Sequence, residues 1–318
     1  MDVVCLGILV ADIFSSPVDS LPAAGELKLT DRFLLGVGGC AANTAACLRR
    51  LERTVRVLGK VGEDFLGDFV LQDLQRLGIE TATVTRSHTH PTSSTFILNV
   101  RHEDRRYIHC IGANADFTIA DVDAAALDGA RALYVGGYIL MPGFGPDDLA
   151  RLFREAKRRS LITALDVVIP AGTAPGLACI ENVLPHTDIF LPNQDEARAL
   201  TGRKDPADQA EVLARINPDC AIVITQGEAG ALARQGNEAF RAGRFGVESI
   251  DESGAGDAFA AGFLTGRLQG WPLEYSLRFA SAVGASCTRA LGCIAGVFSY
   301  HEAVAFVDRE PLEILQIR

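Results

Sequence analysis

The sequence lacks most of the short signatures that mark nucleotide enzymes, hydrolases and metalloproteases. It contains no G-x-x-x-x-G-K-[ST], no H-R-D or D-F-G, no G-x-S-x-G and no H-E-x-x-H. These absences exclude a P-loop nucleotide enzyme, a protein kinase and a zinc protease of the H-E-x-x-H class. They also remove the nucleophile turn of an α/β-hydrolase.

Basic clusters and long apolar runs are missing as well. The 318 residues include 30 Lys and Arg against 40 Asp and Glu, a net charge of −10 without a basic block. This balance argues against nucleic acid or an anionic membrane as a partner. No window approaches 18 uninterrupted apolar residues, and residues 1–4 have no basic character, so we expect neither a spanning helix nor a signal peptide.

The eight cysteines are scattered through the chain. No two of them form C-x-x-C, and no Cys and His group has the spacing of zinc ligands. A chain of this length needs no disulfide framework, so we interpret the thiols as small buried hydrophobes. The expected location is a reducing compartment, the cytoplasm.

Short apolar runs alternate with stretches of helical periodicity along most of the chain. The predicted strands are 3–10, 54–61, 161–166, 189–191 and 221–225, and the predicted helices are 41–51, 64–77, 193–200, 256–268 and 273–288. Apolar runs of this kind are typical of parallel strands buried on both faces. The pattern predicts an α/β fold with a mainly parallel central sheet and a ligand site beyond the carboxyl ends of its strands.

Two segments, 13–37 and 92–111, interrupt this alternation. The first contains the alternating ELKLTDRF, and the second has two strand-like runs around a polar turn. We expect them to form a small β-sheet that projects as a lid from a main domain of 1–12, 38–91 and 112–318. Because exposed sheet edges need cover, we also expect a homodimer that pairs through the lid.

The heptapeptide DESGAGD at 251–257 is the most informative motif. Gly254 and Gly256 lack a Cβ atom, so the backbone can turn sharply and approach a ligand closely. The helix predicted there leaves its first N–H groups unpaired, and its dipole favours a phosphate or an oxyanion. Asp257, in the first turn, can accept a proton from an attacking hydroxyl. The alternative is that Asp257 only complements the helix dipole.

The glycine-rich segment 36–45, GVGGCAANTA, also leads into a predicted helix. It imitates a dinucleotide fingerprint, but the next strand ends without an acidic residue for a ribose hydroxyl. We favour a close backbone approach to a polar ligand, with Asn43 as donor and acceptor. A tight glycine turn with Asn43 as a helix cap is the alternative.

Three other sites follow predicted strands. Asp12 follows the first predicted strand, at the carboxyl edge of the sheet, where it can accept hydrogen bonds from ligand hydroxyls. The alternative is that Asp12 is a solvent-exposed acid in a loop. In PNQDE at 192–196, Asn193 suits a helix N-cap and Glu196 the third helical position, and Glu196 can also reach Mg²⁺ or its waters. In TQGEAG at 225–230, the glycines permit a turn near nucleotide phosphates or a plain hairpin.

Together these segments resemble the ribokinase-like (PfkB) carbohydrate kinase family. The resemblance covers nearly the whole chain in family order, and the GGxxxN and DxxGAGD blocks are its most specific parts. Supporting blocks are VGEDFLG at 61–67, DRRYIHCIGAN at 104–114, PNQDEA at 192–197, VITQGEAG at 223–230 and CTRALGC at 287–293. The implied fold is a ribokinase-like three-layer α/β/α domain with a small β-sheet lid.

The resemblance implies an ATP-dependent kinase that transfers the γ-phosphoryl group to a hydroxyl of a small sugar or sugar-like substrate. Asp257 is then the general base, and Gly254, Ala255 and Gly256 form the anion hole. The implied sugar-binding residues are Asp12, Gly38, Gly39 and Asn43, and the implied nucleotide-binding residues are Asn193, Thr225, Gly227 and Gly230. Glu196 is implied to place Mg²⁺ through water, and Asp251 to lie beside a monovalent cation such as K⁺.

Several positions depart from the family pattern. Glu252 replaces the usual Thr after Asp251, and Ala290 and Leu291 replace the usual Pro or Lys before glycine, which bears on the cation site. Cys40 stands where ribokinases proper carry Lys. Two alternative functions remain. One is a nucleoside kinase of the same family, and the other is a non-catalytic sugar- or nucleotide-binding protein of this fold.

Overall fold

The structure is a computed structural model, which describes residues 1–101, 103, 106–170 and 172–317. The strands are β1 Val3–Gly7, β2 Val10–Ser15, β3 Phe33–Gly38, β4 Val55–Leu58, β5 Lys60–Gly62, β6 Thr85–Ser87, β7 Ser94–Leu98, β8 Arg106–Cys110, β9 Ala132–Gly136, β10 Ile162–Leu165, β11 Ile189–Phe190, β12 Ala221–Thr225, β13 Ala231–Gln235, β14 Glu238–Ala242 and β15 Ile314–Gln316. The helices are α1 Cys40–Arg50, α2 Phe65–Arg76, α3 Pro146–Arg158, α4 Gln194–Thr201, α5 Pro206–Ala214, α6 Ala255–Leu268, α7 Leu273–Cys287 and α8 Tyr300–Arg309.

The main sheet has nine strands in the order β15-β14-β13-β12-β11-β10-β9-β1-β4. The strands from β12 to β4 are parallel to one another, and β13, β14 and β15 extend the sheet with antiparallel pairs. Alternate residues of β1 enter different cores: Val3 and Cys5 pack with α1, α6 and α7, and Val4 and Leu6 pack with α3, α4 and α5. The predicted three-layer α/β/α fold with a mainly parallel sheet is confirmed.

A separate four-stranded sheet, which we call the lid sheet, has the order β3-β2-β7-β8. The two strands expected in 92–111 are present as the antiparallel pair β7 and β8. Within the polar turn that joins them, His102, Asp104 and Arg105 lie outside the described residues. The β character expected from the alternation at 26–33 is wrong for all but Phe33, since the described chain between 19 and 32 enters no strand.

The predicted first strand, 3–10, is wrong at its end because the chain changes sheets there. Gly7 has a φ of 148°, and a Cβ atom on it would lie 2.0 Å from the carbonyl oxygen of Gly136. β2 then begins at Val10 in the lid sheet, before the predicted boundary at 13. Asp12 therefore lies within a lid strand, and its predicted place at the carboxyl end of a main-sheet strand is also wrong.

Asn114 holds the backbone where the chain crosses between the two sheets. Its Oδ1 accepts a hydrogen bond from the amide of Leu9 at 3.1 Å, and its Nδ2 donates to the carbonyl of Leu9 at 3.1 Å. Asn114 is only 1% exposed. The carboxamide thus satisfies both backbone groups of a buried residue that belongs to neither sheet.

Helix positions agree closely with the periodicity of the sequence. The helices predicted at 41–51, 64–77, 193–200, 256–268 and 273–288 correspond to α1, α2, α4, α6 and α7. Gly78 follows α2 with a φ of 75°, as expected of a residue that ends a helix. Over the described part of the chain, no helix is long and apolar enough to cross a bilayer.

We predict that Asn114→Ala lowers the free energy of unfolding by about 2–4 kcal/mol, because it leaves two buried backbone groups without partners. Urea unfolding followed by circular dichroism measures this loss. Asn182→Ala is the matched control, since the Asn182 side chain donates only to Asp147 at the surface, and we expect it to change stability by less than about 0.5 kcal/mol. An equal loss in both variants would contradict the assigned role of Asn114.

Candidate active site

The turn that precedes α6 brings backbone amides and a carboxylate together. Gly254 is the N-cap of α6 with a φ of 74°, and a Cβ atom on it would lie 2.6 Å from the Cβ of Cys293. Glycine is therefore required for both conformation and space. The amide of Ala255, one of the three predicted anion-hole residues, donates to the carbonyl of Glu252 at 3.2 Å. Helix geometry leaves the amides of Gly256 and Asp257 for an anion, so Asp257 takes the place of Ala255 in the expected hole.

Asn43 and Asp257 join α1 to α6. The Nδ2 of Asn43 donates to Oδ2 of Asp257 at 2.9 Å, although the two residues are 214 positions apart in the chain. The Oδ1 of Asn43 is buried and has no hydrogen-bond partner. A buried acceptor of this kind is costly unless a ligand or a water donates to it, so we expect a ligand donor here. Asn43 is therefore not a helix cap, because Gly39 occupies that position with a φ of 89°.

Asp12 reaches the same place from the lid sheet. It is 7% exposed, and a Cβ atom on Gly38 would lie 1.9 Å from its Oδ2, so the carboxylate lies directly against the glycine backbone. Gly39 has a similar restriction, since a Cβ atom there would lie 2.4 Å from the carbonyl oxygen of Ile8. The structure thus brings together Asp12, Gly38, Gly39, Asn43 and Asp257, as the sequence motifs predicted.

Burial raises the pKa of the carboxyl groups in this cluster above the ordinary value. The pKa of Asp257 is raised to about 6, chiefly by burial and also by the charge of Asp12, against the opposing effect of hydrogen bonds from Asn43 and Cys40. Burial likewise raises the pKa of Asp12 to about 6. Carboxyl groups whose pKa lies near neutrality are suited to proton transfer, because they both bind and release a proton in that range.

Asp166 belongs to the same acidic cluster and was missed at the level of sequence. It follows β10 and accepts a hydrogen bond from the Tyr134 hydroxyl at 3.0 Å in a buried setting. Burial raises its pKa well above the usual value, and the charges of Glu196 and Asp257 raise it further. The sequence did contain an indication of this role. Asp166 is the last residue of the predicted strand 161–166, and ligands bind at the carboxyl ends of parallel strands.

Glu196 and Asn193 form the predicted capping box at the start of α4. The Oδ1 of Asn193 accepts from the amide of Glu196 at 2.9 Å, and the Oε2 of Glu196 accepts from the amide of Asn193 at 2.8 Å. Burial raises the pKa of Glu196 to about 7, and Asp257 contributes through its charge. The capping box uses Oε2 of Glu196, and the backbone of Ile169 donates a further hydrogen bond to the same carboxylate.

A pocket of about 370 Å³ lies on the other side of the α6 N-terminus. Its polar wall includes Asn193 and the β12–β13 turn, and its apolar wall includes Phe259 and Val247. The predicted nucleotide-binding residues Asn193, Thr225, Gly227 and Gly230 all line it, together with Ala255 and Gly256. The turn at 225–230 connects the antiparallel strands β12 and β13, so it is a hairpin turn, and it also lines the pocket. The two interpretations of this turn are therefore compatible.

Comparison with known proteins identifies the family of this chain. The model of the pfkB family carbohydrate kinases matches residues 1–298. The chain belongs to the PfkB family. The ATP-dependent 6-phosphofructokinase of Thermoanaerobacterium thermosaccharolyticum is 25% identical over 92% of this chain and 89% of its own. The ribokinase of Bacillus subtilis is 28% identical over 89% of this chain and 92% of its own.

A solved structure shares the fold of this PfkB protein. It is a putative ribokinase II from E. coli in complex with ATP and Mg²⁺, with a TM-score of 0.82 and 21% identity, covering 97% of this chain and 99% of that one. The predicted membership of the family and the predicted fold are both confirmed. At this identity the likeness shows the fold alone.

Within this PfkB protein, the atoms that would surround a monovalent cation beside Asp251 are already engaged. Oδ1 of Asp251 accepts from the amide of Ser253 at 2.9 Å, and Oδ2 accepts from the amide of Gly292 at 2.7 Å. The thiol of Cys287 donates to the carbonyls of Ser253 at 3.3 Å and Cys293 at 3.1 Å. A cation at this place would have to share each of these oxygens with a hydrogen-bond donor, which disfavours the monovalent-cation site expected from the resemblance.

We therefore predict that K⁺ does not stabilise the protein specifically. A bound cation would raise the free energy of unfolding, by about 2.7 kcal/mol at a hundred times its dissociation constant. Thermal unfolding midpoints measured in KCl and in choline chloride, at equal ionic strength, should agree within about 1 °C. A rise in KCl that Asp251→Asn removes would instead support the cation site that the family resemblance suggested.

Proposed function

We propose that this protein is an ATP-dependent kinase that transfers the γ-phosphoryl group to a hydroxyl of a small sugar or sugar-like substrate. The observation that carries the proposal is the position of Asp257. It lies in the first turn of α6, with the Asn43 and Asp12 side on one flank and the pocket lined by Thr225 and Gly227 on the other. A base between two compartments suits a transfer from one bound molecule to another.

The substrate side is built to orient a hydroxylated molecule. The unpartnered Oδ1 of Asn43 accepts from one substrate hydroxyl, and the carboxylate of Asp12 accepts from others. Asn43 also holds the carboxylate of Asp257 in place through Nδ2. Asp257 then accepts the proton of the reacting hydroxyl at its Oδ1, the carboxylate oxygen that Asn43 does not contact.

The lining of the pocket on the nucleotide side suits the chemistry of ATP. Apolar residues such as Phe259 and Val247 suit an adenine ring, and the glycines of the β12–β13 turn let the backbone come close to phosphates. The amides of Gly256 and Asp257, at the positive end of the α6 dipole, stabilise negative charge in the transition state. When bound, ATP supplies the transferred phosphoryl group, and Mg²⁺ neutralises part of its charge.

Glu196 is the residue we propose to hold Mg²⁺ through water. Its Oε1 is not used in the capping box, and Mg²⁺ prefers carboxylate oxygens and retains several waters. Among the described residues, no group of three or more His, Cys, Asp or Glu is arranged to hold a metal ion. The ion would therefore depend on the phosphates for part of its coordination.

We predict that Asp257→Asn lowers turnover by about 10²–10⁴-fold, the usual contribution of a positioned base, while sugar binding is largely kept. ADP release measured over pentoses, hexoses, keto-deoxy acids and nucleosides identifies the substrate, and the variant is then tested on it.

Asp257→Asn should also raise the free energy of unfolding by about 1–2 kcal/mol at pH 8, because a carboxylate with a raised pKa is costly above that pKa.

Asp128→Asn is the matched control, since Asp128 pairs with Arg159 at the surface and should leave turnover unchanged. Turnover of the Asp257 variant equal to that of the wild type would remove Asp257 from the mechanism. A preference for nucleosides over sugars would favour the nucleoside kinase alternative. Ligand binding without any phosphorylated product across the panel would favour a binding protein.

We also propose a homodimer that pairs through the outer face of the lid sheet. The strand register places Leu35, Ile13, Phe96 and Ile108 in one row across this face. Ile108 is 66% exposed and Phe33, on the same face, is 58% exposed. A row of apolar side chains on an open sheet is the kind of surface that a second copy covers.

Light scattering at micromolar concentration should therefore give the mass of a dimer. Ile108→Lys should shift it to a monomer, because a buried unpaired charge opposes association. Leu315→Lys, at an exposed position on β15 in the other sheet, is the control and should remain a dimer. A wild-type monomer would contradict the proposed pairing.

A further inference from the structure

The inner face of the lid sheet carries a row of three polar side chains. The register sets Asp12 of β2 opposite Thr95 of β7, and Thr95 opposite His109 of β8, so all three project from one face. The charge of Asp12 raises the pKa of Asp257 and that of Cys293. The face that bears the row is therefore turned toward the reaction centre.

Hydrogen bonding along the row has a direction. The carboxylate of Asp12 can only accept, so the hydroxyl of Thr95 donates to it. The Oγ1 of Thr95 lies 3.1 Å from Nδ1 of His109, and since its proton is directed to Asp12, it accepts from Nδ1–H. His109 lies on an exposed strand, and its partial burial lowers the pKa of the ring below the ordinary value, which favours the neutral form at pH 7. The Nε2 atom is then an acceptor without a proton.

The inner face offers no positive charge among the residues of its four strands. Beside the row, the strand register gives this face Phe14 with Ile97 and Tyr107, and Gly36 opposite Asp12. None of these is Lys or Arg, and the only formal charge that the four strands contribute to this face is the carboxylate of Asp12. To a phosphate or carboxylate group bound here, the four strands themselves offer a carboxylate and a lone pair and no cation.

We propose that His109 is a specificity residue, whose Nε2 accepts a hydrogen bond from a hydroxyl at the end of the substrate remote from Asp257. The inference rests on the proposed kinase function and narrows its substrate class. The favoured acceptor is a neutral polyol or sugar, because its hydroxyls donate to Nε2 and to Asp12. Sugar phosphates and sugar acids with the anionic group at that end are disfavoured.

Steady-state kinetics on matched probes test the specificity. The probes are D-ribose and D-fructose, and, with an anionic remote end, D-fructose 6-phosphate and 2-keto-3-deoxy-D-gluconate. We expect kcat/KM for the better neutral sugar to exceed that for either anionic probe by about tenfold or more. His109→Asn keeps a donor for Thr95 but removes the acceptor at Nε2, and should raise KM for the neutral sugar about tenfold with little change in kcat.

Two controls separate this effect from a general disturbance of the lid. His109→Gln, whose amide oxygen can take the place of Nε2, should restore part of the lost affinity. His301→Asn, the same change at an exposed histidine of α8 far from the lid, should leave all constants unchanged. An anionic probe as the best substrate, or equal kinetics for wild type and His109→Asn, would overturn the proposal.

Two measurements do not depend on turnover. Calorimetric titration of the neutral sugars should show weaker binding to His109→Asn than to the wild type. If this difference is seen but no ADP is released, the kinase proposal fails and the assignment of His109 stands. The ¹⁵N spectrum of the imidazoles, assigned with the same variant, should show the Nδ1–H tautomer of His109 at pH 8. An Nε2–H tautomer would overturn the proposed acceptor.

Discussion

The contact between Asn43 and Asp257 is the interaction on which the site depends. It ties α1, at the start of the glycine-rich segment, to the first turn of α6, and both helices pack on one face of the main sheet. Their N-termini therefore converge, and each contributes what the other lacks. α6 supplies a carboxylate and free amides, and α1 supplies the carboxamide that orients the carboxylate and retains an open acceptor.

The lid sheet completes the site because the chain changes sheets directly after β1. Gly7 allows the turn away from Gly136, and Asn114 satisfies the backbone of Leu9 within the crossing. Residues 3–12 therefore place the apolar side chains of β1 in the main core and, after the crossing, Asp12 beside Asp257. A crossing held by a buried side chain also fixes the orientation of the inner face relative to α6.

The acidic character of the site reduces stability. A rise in the pKa of Asp12 from 3.8 to about 6 corresponds to about 3 kcal/mol of unfolding free energy, which is lost as the pH rises through this range. The sign follows because the folded state binds the proton more tightly than the unfolded chain does. The four described lid strands contribute no neutralising cation to the face that bears Asp12. The clustered carboxyl groups therefore destabilise the fold, and catalysis or ligand binding explains them better than folding does.

Periodicity and short motifs were sufficient to predict five of the described helices, the parallel strands other than β9, the DESGAGD turn and most of the residues that meet around Asp257, because these features depend on local chemistry. The helices α3, α5 and α8 were not predicted. Tertiary structure alone decided where strand 3–10 divides and that Asp12 belongs to the lid. It also decided that the Asp251 carboxylate is engaged by amides. A run of apolar residues does not encode which sheet it joins, and hydrogen bonds between distant segments form only once the fold has brought their atoms together.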